Sequence, residues 1–180
     1  SGALRLLVVG GSQGATRLNT VVPQALAQVA PRLAIEVRHQ AGERWIAGAR
    51  EAYAAAKIEA EVVPFIDDIA AAYAWADLVV CRSGALTVSE LAAAGVAAIL
   101  VPFPAAVDDH QTRNAGFLVG QGAALLIPEP ELTPERLAAE LARLGADRAT
   151  LLQMATCARG LSRPRAAEDL ADATLAAAGV

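Results

Sequence analysis

The sequence predicts one α/β domain of the Rossmann-like class, with a doubly wound parallel sheet covered by helices on both faces. The first observation is the alternation of short apolar runs with longer amphipathic segments along residues 4–127. The second is that two of these runs pass directly into glycine-containing turns and then into helical segments. Strand, glycine turn and helix are how an open α/β sheet presents backbone amides to an anion. With 180 residues, the chain is long enough for one such domain.

Composition and charge exclude several classes of protein. Hydrophobic residues make up 55% of the chain but aromatic residues only 4%, because most apolar positions carry Ala, Leu or Val. The longest apolar runs, such as Val96–Val101, are far shorter than the roughly 20 residues that cross a bilayer, and no signal peptide is expected. A net charge of −4 without a Lys/Arg block argues against nucleic acid or a polybasic membrane contact. Cys81 and Cys157 have no metal-ligand spacing, so reduced cytosolic thiols are expected.

The first strand leads into the first candidate site. Arg5–Val9 is rich in branched apolar residues, as expected of a parallel strand covered on both faces. Gly10–Gly14 follows and then a helix over Ala15–Val29, which Pro23 is expected to kink. The glycines permit a sharp turn, Ser12 is a candidate helix cap, and the free amides suit a phosphate. The turn lacks the Gly-Lys-Ser/Thr of a P-loop and the dinucleotide glycine spacing, so a turn without a ligand remains the alternative.

The second strand carries no sign of a dinucleotide site. It is predicted over Ala34–Arg38, with Glu36 in its middle, and no acid follows where the ribose of NAD would require one. A Rossmann-type oxidoreductase is therefore disfavoured. His39 lies just beyond the predicted end of this strand and either faces the cleft or, as more often happens, hydrogen-bonds to backbone. An Ala-rich helix is predicted over Glu43–Lys57.

A short strand over Glu61–Pro64 leads to a second candidate site, followed by a helix over Ile69–Trp75. The paired acids Asp67 and Asp68 are better explained as an N-cap and a first-turn dipole partner than as metal ligands. Phe65 and Ile66 precede them at the carboxyl edge of the sheet, where an aromatic base can rest against a side chain. Packing of Phe65 in the core is an equally weighted alternative.

The central stretch joins a buried strand, Leu78–Cys81, to a helix over Ala85–Ala94 that Gly95 ends. Polar side chains cluster in the turn and the first helical turns, at the edge where such sheets bind ligands: Arg82, Ser83, Thr87 and Glu90. Alternatives stay open for each of them. Thr87-x-x-Glu90 has the spacing of a capping box, Arg82 can form a surface ion pair, and the hydroxyls can be simple caps.

The rest of the chain completes the alternation. The predicted strands are Ala97–Val101 and Ala123–Ile127. The predicted helices are His110–Gly120, Pro134–Leu144 with Thr133 as its cap, Arg148–Leu161 and Arg165–Ala178. The last helix has an apolar stripe of mostly small residues: Ala166, Leu170, Ala173 and Leu175 or Ala177.

Four motifs together resemble the MurG family of glycosyltransferases. They are Gly10-Gly-Ser-Gln-Gly-Ala15, the run Phe65–Asp77, Val80-Cys-Arg-Ser-Gly-Ala-Leu-Thr-Val-Ser-Glu90 and His110-Gln-Thr-Arg-Asn-Ala115. Members of this family have a two-domain GT-B fold and use UDP-N-acetylglucosamine (UDP-GlcNAc) to convert lipid I to lipid II in peptidoglycan synthesis. The resemblance implies that residues 1–180 form the single carboxyl-terminal, donor-binding domain. Residues 1–2 are a possible cloning scar, and the helix over 165–178 is expected to pack on the amino-terminal half.

The resemblance also implies roles for individual residues. Ser12, Gln13 and Gly14 would meet the nucleotide-sugar and its diphosphate, and Phe65 and Ile66 the uracil. Arg82 would lie at the nucleotide, with Ser83 and Gly84 beside it. Ala85, Leu86 and Thr87 would bring the helix N-terminus to the phosphates, and Glu90 would accept hydrogen bonds from the ribose hydroxyls. Gln111 and His110 would face the GlcNAc hydroxyls. On spacing alone, Gln111 would be an ordinary surface residue.

The reaction implied is an inverting hexosyl transfer in which an acceptor hydroxyl attacks the anomeric carbon as UDP leaves. No catalytic residue is expected in this half, because the general base of the family lies in the amino-terminal half. This domain would contribute stabilisation of the leaving diphosphate. No cofactor or metal is expected to be required, although a divalent cation can accompany the diphosphate.

The family resemblance further places the full-length enzyme in the cytoplasm, peripherally at the cytoplasmic face of the inner membrane, in a pathway that serves cell shape and division. Lipid I would bind through the amino-terminal half, no nucleic acid is expected, and membrane association would not be encoded here. This fragment alone is expected to be inactive in transfer. The main alternative is a catalytically silent module that binds a nucleotide-sugar.

Overall fold

The computed structural model describes residues 2–11, 15–104 and 109–178, within which strands and helices alternate along the chain. The strands are β1 Leu4–Val9, β2 Ile35–Gln40, β3 Glu61–Val63, β4 Leu78–Cys81, β5 Ala97–Leu100 and β6 Ala124–Leu126. The helices are α1 Thr16–Val29, α2 Ile46–Ala56, α3 Ile69–Trp75, α4 Ala85–Ala94, α5 His110–Val119, α6 Pro134–Ala146, α7 Arg148–Gly160 and α8 Ala166–Ala178. A short 3-10 helix, Glu129–Glu131, lies between β6 and α6.

The strands form a parallel sheet in the order β3-β2-β1-β4-β5-β6. The chain first builds outward from β1 through β2 to β3 and then crosses back to β4 on the other side. This order confirms the predicted doubly wound fold. The register places Val9 opposite both Gln40 and Cys81, so the carboxyl ends of the three central strands lie in one row. Ligands bind at such a reversal because the crossing helices diverge there and leave a crevice.

Each face of the sheet is covered by a separate hydrophobic core. Leu6 and Val8 of β1 pack with α1, α2 and α6, whereas Leu7, between them, packs with α3, α4 and α5. Alternate residues of a strand point to opposite faces, so a strand buried on both sides needs apolar residues at consecutive positions. The continuous apolar runs of the sequence have this cause.

Several predicted boundaries are confirmed because explicit end signals fix them. α3, β4 and α4 begin and end where the sequence predicts. The carboxylate of Asp68 accepts a hydrogen bond from the Ala71 amide at 2.8 Å, which makes it the N-cap of α3. Gly95 ends α4 with a φ of 67°, a left-handed conformation that a side chain would strain. Thr133 caps α6 through the Arg136 amide.

Other boundaries differ from the prediction. β2 continues two residues beyond Arg38, so His39 and Gln40 belong to the strand. β3 ends at Val63 because Pro64 has no N–H with which to continue a ladder. α2 begins at Ile46, not at Glu43, after a turn in which Gly42 adopts a φ of 85°.

The carboxyl-terminal helix stands apart from both cores. Every side chain of α8 that the structure describes is exposed, including Leu170 and Leu175 of the predicted apolar stripe. The stripe is therefore present in the sequence but is not covered by the described parts of this chain. In the described ranges, no helix is both long enough and apolar enough to span a membrane.

Candidate functional site

A cleft of about 320 Å³ opens at the carboxyl edge of the sheet, where the strand order reverses between β1 and β4. Three segments of the chain meet there: the turn after β1, the loop between β3 and α3, and the first turns of α4. The lining residues are Val9, Gly11, Gln40, Phe65, Ile66, Asp67, Ile69, Tyr73, Leu86, Thr87 and Glu90.

Val9 and Gly11, at the end of β1 and just beyond it, line one wall of the cleft. Gly11 has a φ of 81°, in the left-handed region that favours glycine, and its N–H is bound by the side chain of Gln40 at 2.9 Å. The predicted ligands Ser12, Gln13 and Gly14 lie outside the described residues. The helix that follows begins at Thr16, with Ala15 at the N-cap position and no side-chain cap.

The loop between β3 and α3 forms the opposite wall. The Phe65 side chain is 63% exposed, so its alternative assignment to the core is wrong. Ile66 is half-buried and packs against the core beneath α3 and α4. Because Asp68 caps α3, the backbone of this loop is anchored on its carboxyl side. An exposed aromatic ring over an anchored backbone is a surface on which a flat ligand can rest.

The N-terminus of α4 lies between these two walls. Gly84 is its N-cap residue and supplies no capping side chain. An α-helix leaves its first N–H groups without intrahelical partners, here those of Ala85, Leu86 and Thr87. Thr87 is the third residue of the helix and therefore cannot be its N-cap, so the capping-box explanation of the Thr87–Glu90 pair is wrong. Among the described residues no side chain caps this end of the helix, which can therefore meet an anion.

Glu90 lies one turn further along α4 and is held by a residue that the sequence did not reveal. The hydroxyl of Tyr73, on α3, donates a hydrogen bond to Oε2 of Glu90 at 3.2 Å. Burial is the main cause that raises the pKa of Tyr73, and the neighbouring Cys81 and the Glu90 carboxylate add to it, so the Tyr73 hydroxyl remains a donor. The carboxylate is thereby oriented, and within the described part of the chain its other oxygen is left to accept hydrogen bonds from a ligand.

A second polar cluster lies along the same edge, after β4 and β5. The Ser83 side chain is buried, and its Oγ donates to the carbonyl of Gln111 at 2.8 Å. Oε1 of Gln111 accepts a hydrogen bond from the Phe103 amide at 2.9 Å. These bonds tie the turn after β4 to α5 and to the loop after β5. The predicted ligands Ser83 and Gln111 thus also hold neighbouring loops together.

Arg82 is anchored in the same cluster. Its guanidinium forms an ion pair with Glu129, donates to the carbonyls of Val101 and Pro102 at 3.2 Å, and lies 5.3 Å from the ring centroid of Phe103. The ion-pair alternative from the sequence is therefore present, although the pair is mostly buried and is not a loose surface contact. His110 is exposed at the start of α5.

His39 does not face the cleft. It is fully buried in β2, where Nδ1 is 2.9 Å from the Tyr53 hydroxyl and Nε2 is 3.0 Å from Oδ1 of Asn19. Its partners are side chains, so the expectation of a backbone hydrogen bond is also wrong. Burial lowers the pKa of His39 to about 4, which keeps it neutral near pH 7.

The structure thus divides the predicted site residues into two groups. Phe65, Ile66, Leu86, Thr87 and Glu90 line the cleft, whereas Arg82, Ser83 and Gln111 belong to the second cluster. Sequence reasoning missed Gln40 and Tyr73. Gln40 would have been found if β2 had been extended to its true end, but nothing in the spacing of Tyr73 and Glu90 signals their contact. Among the described residues, no group of three or more His, Cys, Asp or Glu side chains has the geometry of a metal site.

Comparisons with known proteins agree with this geometry. Residues 5–170 match the glycosyltransferase family 28 C-terminal domain. Over 174 residues the chain is 60% identical to the UDP-N-acetylglucosamine--N-acetylmuramyl-(pentapeptide) pyrophosphoryl-undecaprenol N-acetylglucosamine transferase of Nitrosococcus oceani, a match that covers 97% of this chain and 48% of that protein. The chain spans about half the length of the curated relatives it matches.

Solved structures give the same picture. The crystal structure of Acinetobacter baumannii MurG superposes with a TM-score of 0.88 at 44% identity, covering 96% of this chain and 49% of that one. The calicheamicin glycosyltransferase CalG4 superposes with a TM-score of 0.69 at 21% identity, covering 99% of this chain and 45% of that one, which is a likeness of fold alone.

Proposed function

The chain belongs to the glycosyltransferase family 28 C-terminal domain family, and from this premise we propose that it is the donor half of a GT-B enzyme that transfers GlcNAc from UDP-GlcNAc. The acceptor proposed is the undecaprenyl-linked muramyl-pentapeptide that the relatives' names specify. The reaction would then convert lipid I to lipid II in peptidoglycan synthesis, at the cytoplasmic face of the inner membrane. The half of the relatives that this chain does not span would bind the acceptor.

The cleft at the sheet reversal carries this proposal. Its volume of about 320 Å³ lies within the range of small-molecule sites. Its parts have the chemistry that a uridine diphosphate needs: an aromatic surface at Phe65, a carboxylate at Glu90 and the uncapped helix N-terminus at Ala85–Thr87. The uracil would rest beside Phe65 and Ile66, the ribose would bind Glu90, and the diphosphate would meet α4 and the turn after β1.

The contribution of this half to catalysis would be electrostatic. Negative charge grows on the diphosphate as the bond to the anomeric carbon breaks. The N-terminus of α4 presents amide donors and the positive end of a helix dipole to that charge, and these groups are already oriented before the reaction. The sugar would lie towards the second cluster, beside Gln111 and His110. Removal of the proton from the acceptor hydroxyl would depend on a base in the other half.

Binding of UDP-GlcNAc to Glu90 variants tests the donor role. Glu90→Ala is expected to weaken binding about tenfold to a hundredfold, because a hydrogen bond to a charged group contributes roughly 1.5–3 kcal/mol. Glu90→Gln should lose less affinity for UDP-GlcNAc, since its amide oxygen can still accept a hydrogen bond from the ribose. Glu51→Ala, an exposed glutamate on α2, is the matched control and should bind as the parent does.

Calorimetric titration is the measurement, with the melting temperature of each variant recorded beside it. Failure of the parent chain to bind UDP-GlcNAc, or binding of NAD in its place, would contradict the proposed function. Transfer is tested separately: lipid I should be converted only when the acceptor-binding half of a relative is supplied, because one bound reactant gives neither proximity nor proton transfer. Conversion by this chain alone would show that the division of roles is wrong.

A further inference from the structure

Gln40 occupies a position of special interest in sheets of this kind. It is the last residue of β2, and it pairs in register with Val9, the last residue of β1. In dinucleotide-binding domains, the end of the second strand carries the acid that binds a ribose. Here the residue is a neutral amide that is 4% exposed but whose side chain still borders the cleft.

The amide of Gln40 is already engaged with protein backbone on both sides of the cleft. Oε1 accepts the N–H of Gly11 at 2.9 Å, and Nε2 donates to the carbonyl of Gly11 and to the carbonyl of Pro64, each at 3.0 Å. A primary amide has two N–H donors, so both are used. The partners fix which way the amide points. The Pro64 nitrogen has no N–H, so its carbonyl requires the Nε2 donor, and the Gly11 N–H requires the Oε1 acceptor.

The side chain of Gln40 extends the hydrogen bonding between β1 and β2 by one residue, to Gly11. The backbone carbonyl of Gln40 accepts the N–H of Gly10 at 3.1 Å, as in a parallel ladder. Its side-chain amide then binds both polar groups of Gly11, because the oxygen and one N–H of a primary amide point in the same direction. The hydrogen bonding between β1 and β2 therefore continues to Gly11, which has a φ of 81°. Without the Gln40 amide, the backbone of this glycine would be less constrained, because glycine has no Cβ to restrict it.

The same amide also reaches the other wall of the cleft. Pro64 immediately precedes Phe65 and Ile66. The residue before Pro64 is held as well, because the carbonyl of Val63 accepts a hydrogen bond from the Ala41 amide at 2.9 Å. One side chain thus joins the turn that borders the diphosphate position to the backbone that borders the base position. Loss of these bonds would leave a buried amide and three backbone groups unsatisfied, or would let the two loops separate.

We infer that Gln40 is a positioning residue that sets the spacing between the two ends of the nucleotide site. This inference rests on the proposed function, since it assumes that one ligand spans both walls. Gln40 itself touches no reacting atom and has no donor left for the ligand. Its effect is exerted through Gly11 and Pro64, and it should matter most for a ligand that contacts both of them.

Comparison of a short ligand with a long one isolates this effect. Uridine needs only the base and ribose positions, whereas UDP also needs the turn after β1, so the ratio of their affinities reports the spacing. Gln40→Met keeps a similar volume and removes all three hydrogen bonds. The ratio of UDP affinity to uridine affinity is expected to fall by about tenfold or more, because UDP loses the prearranged turn.

A control separates positioning from general stability. Leu141→Ala, in the buried face of α6 and away from the cleft, should lower the melting temperature without changing the affinity ratio. NMR titrations with uridine and UDP give both affinities for the parent and for each variant. An unchanged ratio in Gln40→Met, or an equal fall in Leu141→Ala, would overturn the inference while leaving the proposed function intact. Failure of the parent chain to bind UDP would overturn both.

Amide exchange of the parent protein provides a test that does not depend on the variant folding. The Gly11 N–H, bound by Gln40, should exchange far more slowly than an amide of an unstructured loop, and UDP should slow it further. Exchange of Gly11 at the rate of an unstructured peptide would overturn the inference. Protection that increases with UDP would support it.

Discussion

The buried imidazole of His39 should make the stability of the domain depend on pH between about 6.5 and 4. Asn19 donates its side-chain amide to the carbonyl of Ala41 at 3.1 Å, so its oxygen faces His39 and requires a proton on Nε2. Nδ1 of His39 is then the acceptor for the hydroxyl of Tyr53. Both ring nitrogens are thus satisfied in the neutral form, and burial lowers the pKa of His39 to about 4 from the ordinary histidine value of 6.5.

The sign and size of the effect follow from this difference in pKa. As the pH falls below about 6.5, the unfolded chain binds a proton at His39 that the folded chain does not bind until about pH 4. Stability is therefore fully present near pH 7 and is lost as the pH falls through this window. At about 1.4 kcal/mol per pKa unit, the total loss is about 3 kcal/mol, of which about 2 kcal/mol falls between pH 7 and 4.5.

Urea denaturation at a series of pH values measures this loss. His39→Gln removes the titrating group, so its unfolding free energy should fall less between pH 7 and 4.5 than that of the parent, by about 2 kcal/mol. The chain has two histidines, and His110 is exposed, so His110→Ala is a matched control that should keep the parental slope.

Carboxylates also titrate at acid pH, but their effect on the unfolding free energy should be the same in the parent, His39→Gln and His110→Ala. Burial raises the pKa of Asp77, yet its hydrogen bonds from Arg5 and Arg148 outweigh this and lower it to about 2. The stability that Asp77 contributes is present above about pH 3.8 and is lost only below the His39 window. Equal slopes for the parent and His39→Gln between pH 6.5 and 4.5 would refute this reasoning.

Three further predictions concern the site and the last helix. Tyr73→Phe should reduce the preference for UDP over its 2′-deoxy analogue about threefold to tenfold, because the Glu90 carboxylate loses the bond that orients it; an unchanged preference by calorimetry would contradict this. Chelation of divalent cations with EDTA should leave UDP affinity within about twofold, since in the proposed site the amides at the start of α4 would bind the diphosphate without a metal; a large loss that Mg²⁺ restores would contradict it. Amides of α8 should exchange much faster than those of β4, because the described side chains of α8 are exposed; equal protection would show that the helix is covered in solution.

The sequence predicted most accurately the elements whose ends have local causes. Leu78–Cys81 is a buried apolar run, and the helix after it stops at a glycine with positive φ. The start of α3 is set by the Asp68 cap and that of α6 by Thr133. In each case the signal lies within a few residues of the boundary, so pattern and propensity are sufficient.

The end of β2 was misjudged because its causes are distant in the sequence. Arg38, His39 and Gln40 are polar and suggest a loop, yet the last two are buried. His39 can be buried because Asn19 and Tyr53 satisfy its ring, 20 and 14 residues away. Gln40 can be buried because Gly11 and Pro64 satisfy its amide, 29 and 24 residues away. A buried polar residue needs its partners in place, and a single sequence does not show which residues will meet.

The same distinction applies to the candidate site. Its visible part is local: glycines after one strand, a phenylalanine and an isoleucine after another, and polar residues at the start of a helix. Its hidden part consists of the side chains that hold these pieces, Gln40 across the cleft and Tyr73 behind Glu90. The resemblance to family motifs predicted the first group. The second group is apparent only in the folded domain, because the folded sheet, and not sequence spacing, brings these residues together.

Charge explains why these holding contacts should matter for the proposed ligand. The chain carries a net charge of −4, and both acids at the cleft, Asp67 and Glu90, are negative like a diphosphate. Long-range attraction therefore cannot supply the affinity, which must come from amide donors at short range. The strength of such donors depends on their being fixed before the anion arrives, because reorientation on binding would offset the gain. A site of this kind tolerates little error in the spacing of its loops, which is the quantity that Gln40 controls in the arrangement inferred above.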